Sequence, residues 1–170
     1  GNSLLETIVF GRRSGTAAAQ YASETGPVVF PEAQFTTEEK RLRSILSRES
    51  GHRAHAIRKE MQLTMNQNMG IFREKAKMQS AVDTIRELKR KFQNVVVDDK
   101  GWVFNTDLTN ALETGFLLDV AEAMAVGGLA REESRGSHSR RDFPKRDDEK
   151  WLKHTVAYRT ESGPRLEYRD

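Results

Sequence analysis

The C-terminal third of the sequence contains a serine, a histidine and an aspartate that are candidate catalytic residues. Ser137 and His138 are adjacent and Asp142 follows four residues later. These are the residue types of a hydrolytic triad. Nothing around Ser137 resembles a nucleophile elbow or an oxyanion loop. We therefore predict that Ser137, His138 and Asp142 are polar loop residues and do not form a hydrolase site.

Two other histidines could bind a metal ion. His52 and His55 are predicted to lie three residues apart on one helix, but no third ligand accompanies them at a metal-binding spacing. We expect surface histidines and no metal site. The chain has no cysteine, which excludes disulfides, thiolate zinc sites and iron–sulfur ligation by this segment.

A run of basic residues could bind phosphate or RNA. Aromatic residues for base stacking are sparse there. Carboxylates between residues 142 and 149 could pair with the arginines instead. The net charge is only +3, and acidic residues interrupt nearly every basic run, so we predict no nucleic-acid partner. The basic residues are Arg135, Arg140, Arg141, Lys145 and Arg146, and the carboxylates are Asp142, Asp147, Asp148 and Glu149.

The first 50 residues predict two helices. Ser3 with Glu6, and Thr36 with Glu39, have the spacing of a capping box, which predicts helices from Ser3 to about residue 23 and from Thr36 to about residue 50. Small residues make the first helix thin on several sides, so we expect it to be buried in something larger. The sequence starts with Gly1 inside what looks like a motif, so we expect the chain to be part of a longer protein.

The middle of the chain predicts three more helices. One follows Gly51, a second covers about residues 74–92, and a third is capped by Thr106. We expect the second, third and fourth helices of the chain to form an antiparallel bundle with short links. Gly127 and Gly128 either lie near the end of the fifth helix or permit close packing. A methionine stripe on the third helix is predicted to be core rather than a peptide groove: Met61, Met65 and Met69.

The pattern changes after residue 131. Residues 131–150 are polar and are expected to be irregular, after which residues 151–160 and 165–169 predict two strands joined by a turn at 161–163. No apolar run approaches the ~20 residues of a membrane helix.

Two longer strings are more specific than any single residue. Residues 1–13, GNSLLETIVFGRR, strongly resemble the motif that follows the ANRLG element of succinate dehydrogenase and fumarate reductase flavoprotein subunits. Residues 133–151, ESRGSHSRRDFPKRDDEKW, resemble the C-terminal signature of the same family. L-aspartate oxidase shares the NSLLE and ESRGxH elements, so it is the alternative family. It usually continues YTLDYP, whereas this chain has SRRDFP at residues 139–144, which favours the dehydrogenase and reductase branch. A helical interaction module without flavin is a second alternative.

The resemblance implies a mainly α fold. Residues 1–35 would be the end of an FAD-binding domain and supply a flavin-contacting helix. Residues 36–131 would form a three-helix bundle domain, and residues 132–170 a loop and β-hairpin segment. His138 and Arg135, which belong to the signature, would have a structural or interface role.

The resemblance also implies an activity. The whole protein would interconvert succinate and fumarate by hydride transfer with FAD and pass electrons to an iron–sulfur subunit bound to a membrane anchor. It would lie peripherally on the cytoplasmic face of the inner membrane. Asn2, Ser3 and Leu4 would contact the flavin, and no catalytic residue would lie in this chain, which alone would be inactive. A helix N-terminus offers unpaired N–H groups and partial positive charge, which would stabilise a reduced, anionic flavin.

Overall fold

The computed structural model describes residues 3–170 and divides the chain into two compact units, the first ending at Lys40 and the second covering Arg41–Asp170. In this described part the helices are α1 (Ser3–Thr25), α2 (Glu32–Ser47), α3 (Ala54–Asn68), α4 (Lys75–Phe92), α5 (Thr106–Ala130) and α6 (Asp148–Trp151). The strands are β1 (His52–Arg53), β2 (Phe72–Arg73), β3 (Val95–Val96), β4 (Ser139–Arg140), β5 (His154–Thr160) and β6 (Gly163–Arg169). The mainly α prediction is confirmed.

The first unit holds α1 and the start of α2. Gly26 follows α1 with a φ of 67°, a left-handed conformation that a glycine adopts without strain. Helix α2 starts after Pro31, whose carbonyl accepts a bond from the N–H of Phe35. The predicted cap at Thr36 is therefore wrong, because Thr36 already lies inside the helix. The boundary predicted after residue 35 also falls inside α2.

The second unit is a bundle of α3, α4 and α5. The sequence predicts a bundle of the second, third and fourth helices, which are α2, α3 and α4, and this grouping is wrong. Helix α2 contributes only Ile45 and Leu46 to the core, at one end of the bundle. Helix α5 takes the third place, since it packs against both α3 and α4 and buries apolar residues from Leu108 to Ala125.

Three layers of apolar side chains fill this bundle. Along α3 and α5 the layers follow in one order, and along α4 they follow in the reverse order, so α4 runs antiparallel to the other two helices. The first layer contains Ala54, Val95, Leu108 and Ala111. The second contains Ile57, Met61, Ile85, Leu88, Leu118 and Ala121, and the third Met69, Met78, Ala81, Val82 and Ala125. The methionine stripe is therefore core, as predicted.

A short parallel pairing closes the first layer. Strand β3 pairs with β1, with His52 opposite Val95. Val95 and Val97 are each only 1% exposed. Helix α5 then starts at Thr106, and the side chain of Asn105 accepts a bond from the N–H of Leu108. Its cap is thus Asn105 rather than the predicted Thr106.

The end of α5 passes close to its neighbours. A Cβ on Gly128 would lie 3.0 Å from Cε of Met69 and 3.3 Å from Cε of Met78. The helix continues through the two glycines to Ala130, so close packing explains Gly128.

The C-terminal segment attaches to the bundle at two places. Strand β4 pairs in parallel with β2, just before α4, and the hairpin β5–β6 packs on α5. The hairpin confirms the predicted strand pair, although Trp151 lies in α6 instead of the first strand. Across residues 3–170, no helix combines the length and hydropathy that a membrane crossing requires.

Met78 gives a test of the third layer, and exposed Met124 serves as its control. Met78 is fully buried, so Met78→Ala should destabilise the chain by about 2–5 kcal/mol. Met124 on α5 is 56% exposed, and Met124→Ala should change stability by no more than about 0.5 kcal/mol. Urea unfolding measures both. Equal effects would mean that α4 and α5 do not pack as described.

Candidate functional site

The predicted flavin contacts fall at the beginning of α1. Asn2 lies outside the described residues. Ser3 already lies in α1, so it is not the N-cap that the capping box predicts, and Leu4 is 80% exposed. The carbonyl of Ser3 accepts a bond from Oγ1 of Thr7 at 2.7 Å, whereas the N–H groups of a first helical turn have no partner within the helix. These backbone donors suit the polar edge of a flavin ring.

Every described side chain of α1 is exposed in its unit. The helix carries five large apolar residues between positions 4 and 10, which is unusual for a surface helix. They are Leu4, Leu5, Ile8, Val9 and Phe10.

The C-terminal signature folds into a network of arginines and carboxylates, which we call the signature network. Its members are Arg131, Glu133, Arg135, Arg140, Asp142 and Asp148. The run of arginines is therefore paired with acids, as predicted. Sequence reasoning missed its central acid, Glu133.

Glu133 is completely buried. Its Oε1 accepts bonds from Nη1 of Arg131 at 2.5 Å and from Nε of Arg135 at 2.8 Å. Its Oε2 accepts bonds from Nη2 of Arg135 at 3.1 Å and from the N–H of Asp147 at 2.9 Å. Burial alone would raise the pKa of Glu133, but these hydrogen bonds outweigh it and lower that pKa to about 2. Glu133 is therefore ionised and fully satisfied.

Arg131 carries the contact from Glu133 to the hairpin. Its Nη1 also donates to the carbonyl of Trp151 at 2.9 Å, and its Nη2 donates to the carbonyl of Lys153 at 2.6 Å and to Oγ1 of Thr155 at 3.1 Å. The guanidinium also lies over the indole of Trp151, 5.1 Å from the ring centroid. One side chain thus fixes the end of α5 to the start of β5.

Arg140 is the second buried ion of the network, with 1% exposure. Its Nε and Nη2 donate to the two carboxylate oxygens of Asp142, each at 2.7 Å. Its Nη1 points at the carboxyl end of α5 and donates to the carbonyls of Leu129 at 3.1 Å and Arg131 at 2.9 Å. A cation at this end satisfies carbonyls that have no helical partner and complements the helix dipole.

Asp142 accepts a hydrogen bond at the amino end of α4, as Arg140 donates hydrogen bonds at the carboxyl end of α5. Its Oδ2 accepts a bond from the N–H of Lys75, the first residue of that helix, at 3.1 Å. The hydrogen bonds from Arg140 lower the pKa of Asp142 to about 2, against the effect of burial. The Arg140–Asp142 pair therefore joins the carboxyl end of α5 to the amino end of α4.

Asp148 and Ser134 complete the segment. Asp148 accepts bonds from Nε of Arg146 at 2.7 Å and Nη2 of Arg135 at 2.6 Å, and these lower its pKa to about 2. The hydroxyl of Ser134 accepts from the N–H of Arg140 and donates to the carbonyl of Phe143, both at 2.8 Å. The segment expected to be irregular is thus held by side-chain bonds in place of a regular ladder.

The histidines form no catalytic or metal site in the described part of the chain. His138 contacts Arg73 and the carbonyl of Arg131, while Asp142 contacts Arg140, so Ser137, His138 and Asp142 make no triad. His52 and His55 are both exposed, as expected, but His52 lies in β1 and not on the helix of His55. No group of three potential ligands lies close enough together, among residues 3–170, to hold a metal ion.

The comparisons with known proteins agree with this arrangement. A family model described as fumarate reductase flavoprotein C-term matches residues 58–170, which include most of the bundle and the whole signature network. The chain therefore belongs to the C-terminal family of fumarate reductase and succinate dehydrogenase flavoproteins.

Particular relatives show how much of such a protein the chain represents. It is 46% identical to a fumarate reductase flavoprotein subunit of Mycobacterium tuberculosis, over 95% of this chain and 29% of that protein. It is 35% identical to a succinate dehydrogenase flavoprotein subunit of Rickettsia conorii, over 95% of this chain and 27% of that protein. A solved structure of E. coli quinol fumarate reductase matches with a TM-score of 0.91 and 42% identity, over 99% of this chain and 30% of that chain. The chain thus spans less than a third of the proteins it matches.

Glu133 gives a direct test of the network. Glu133→Gln removes the buried charge that Arg131 and Arg135 share, and breaking a buried pair in this way costs about 3–5 kcal/mol. Glu132, its exposed neighbour, pairs with Lys150 at 3.6 Å on the surface, so Glu132→Gln should cost less than about 1 kcal/mol. Urea unfolding at pH 7 measures both. Similar losses from the two variants would contradict the buried network.

The same residue predicts a pH dependence. The pKa of Glu133 falls from an ordinary value of 4.5 to about 2, so the folded state holds its charge more firmly than the unfolded state does. Its contribution is complete above pH 4.5 and disappears as the pH falls through about 2. The difference in unfolding free energy between wild type and Glu133→Gln should therefore shrink between pH 4.5 and 2. A difference that stays constant over this range would refute the assignment.

Proposed function

We propose that this chain is the C-terminal part of a flavoprotein subunit that interconverts succinate and fumarate. The observation that carries the proposal is the family match over residues 58–170, which includes every member of the signature network. The matched relatives are named as fumarate reductase or succinate dehydrogenase flavoprotein subunits. Those names favour this reaction over aspartate oxidation and over a helical module without flavin.

In this proposal FAD exchanges a hydride with the substrate, and the electrons pass to an iron–sulfur subunit. The E. coli protein of similar structure is a quinol fumarate reductase, which supports a complex that exchanges electrons with a quinol. We place the subunit peripherally, on the cytoplasmic face of the inner membrane, held there by its partner subunits and a membrane anchor. The described chain supplies no catalytic residue to the reaction.

The second unit has a structural role in this proposal. The signature network fixes the carboxyl end of α5, the amino end of α4 and the hairpin to each other. Its charged groups are saturated with internal partners, so they are poorly suited to binding a dicarboxylate. This favours a supporting role for Arg135 and His138.

The contribution of the first unit is the proposed flavin contact at Asn2, Ser3 and Leu4. Two features support it: first-turn N–H groups without helical partners, and a helix whose apolar side chains are all exposed within its unit. The partial positive charge of the helix N-terminus would favour the reduced, anionic flavin.

The activity is tested with the full-length protein that contains this chain. We expect it to oxidise succinate with an artificial electron acceptor, or to reduce fumarate with a reduced viologen dye, and to leave L-aspartate unchanged. Turnover of L-aspartate without turnover of succinate or fumarate would replace this proposal with the oxidase alternative.

The flavin contact is tested with two substitutions at Ser3 in the same full-length protein. Ser3→Pro removes one backbone N–H, while the helix itself tolerates proline at its first position. Flavin content per polypeptide, read from the absorbance of the purified protein, should fall several-fold. Ser3→Ala keeps the N–H and should keep the flavin. Full flavin occupancy and activity in Ser3→Pro would rule out this contact.

A further inference from the structure

His138 lies among positive charges that come from three different segments. Arg73 of β2 contacts the imidazole directly, Arg131 reaches it from the end of α5, and Arg140 flanks it on β4. The groove beside the ring is also lined by Ala123, Met124, Gly127 and Gly128 of α5 and by Thr155, Ala157 and Leu166 of the hairpin, none of which titrates. Glu133 and Asp142 are engaged by the arginines around the ring and do not contact His138.

The two hydrogen bonds of His138 define its protonation state. Nδ1 lies 2.7 Å from Nη1 of Arg73, and a guanidinium can only donate, so Nδ1 must accept. Nε2 lies 3.2 Å from the carbonyl oxygen of Arg131, which can only accept, so Nε2 must carry the proton. This arrangement requires the neutral imidazole with its proton on Nε2. An imidazolium would turn an N–H toward the N–H of Arg73 and add a fourth positive charge to the cluster.

These contacts hold together two parts of the chain that are far apart in sequence. Strand β2, which carries Arg73, pairs with β4, and the N–H groups of Ser139 and Arg141 donate to the carbonyls of Ile71 at 3.3 Å and Arg73 at 2.9 Å. Arg73 also donates from Nε to the carbonyl of Gly70 at 2.7 Å, which fixes the turn before β2. His138 is therefore placed where a change in its charge acts on the pairing of β2 with β4.

We propose that His138 is a pH-sensitive latch: the neutral imidazole holds β2 against β4, and its protonation loosens this pairing. Burial, together with the charges of Arg73, Arg140 and Arg131, lowers the pKa of His138 from its ordinary value, although its bond to the Arg131 carbonyl acts in the opposite direction. Because the pKa of His138 is lower in the folded state, its contribution to the free energy of unfolding is complete above the pKa of the unfolded state, near 6.5. This contribution falls as the pH drops below that value. The latch is closed at neutral pH and weakens in mild acid.

The size of the effect is limited by the opened state. An exposed histidine with a pKa of about 6.5 is roughly nine-tenths neutral at pH 7.5 and one-tenth neutral at pH 5.5. The equilibrium for local opening of β2 from β4 can therefore increase by at most about tenfold over this interval. Carboxylates with pKa values of about 2, such as Glu133 and Asp142, stay ionised throughout it.

Hydrogen exchange measured by mass spectrometry on the full-length protein tests the latch. The readout is the exchange of peptides that contain residues 69–75 and 137–143, corrected for the intrinsic pH dependence of exchange, at pH 7.5 and 5.5. In the wild type we expect both peptides to lose protection together by several-fold at pH 5.5. A peptide from the middle of α4, around residues 80–88, serves as the internal control and should keep its protection.

Two variants assign the effect to His138. His138→Asn keeps an acceptor close to Arg73, and His138→Gln keeps a donor close to the carbonyl of Arg131, and neither side chain titrates. In each variant the protection of both peptides should be independent of pH between 7.5 and 5.5. The proposal is overturned if wild-type protection does not change, if all peptides including the α4 control lose it equally, or if a folded variant shows the wild-type loss. Where neither variant folds, the wild-type comparison of the two peptides with the α4 control decides by the same criteria.

Discussion

The ion pair between Arg140 and Asp142 is the interaction on which the arrangement of the second unit depends. Two helix ends meet there, and each leaves backbone groups that the helix cannot satisfy. Arg140 donates to carbonyls at the carboxyl end of α5, and Asp142 accepts from the first N–H of α4. Both residues bind each other through two bonds of 2.7 Å, so the two helix ends are linked through one rigid pair. The short pairing of β2 with β4 follows from this, since Arg140 belongs to β4.

Glu133 plays the corresponding part for the hairpin. A fully buried carboxylate is costly unless its oxygens are occupied, and here both oxygens accept two bonds each. Arg131 uses its remaining donors on the carbonyls of Trp151 and Lys153, and the hairpin β5–β6 then lies against α5. A segment with almost no regular structure can therefore be as well defined as the bundle, because its hydrogen bonds come from charged side chains.

In the folded chain, the charged groups of the signature network are occupied by one another and by backbone groups. Groups that bind a substrate must keep some hydrogen-bond donors or acceptors free. The arginines of the network instead donate to carboxylates and backbone carbonyls. In the flavoprotein that we propose, the network keeps the helical bundle and the hairpin in a fixed relation, and the chemistry takes place around the flavin, to which α1 would contribute.

The sequence by itself determined the helices, the hairpin and the family. Helical periodicity depends on local spacing, so α1, α3, α4 and α5 were predicted nearly as they occur, and the two signature strings identified the flavoprotein family. Capping was less predictable, since Thr36 and Thr106 have suitable side chains but Pro31 and Asn105 stand where the helices begin. Only the tertiary structure decided that α5 completes the bundle in place of α2, because apolar stripes do not say which helix they face. It alone distinguished buried Glu133 from exposed Glu132, which are identical neighbours in sequence, because their difference lies in which arginines the folded chain brings within hydrogen-bonding distance.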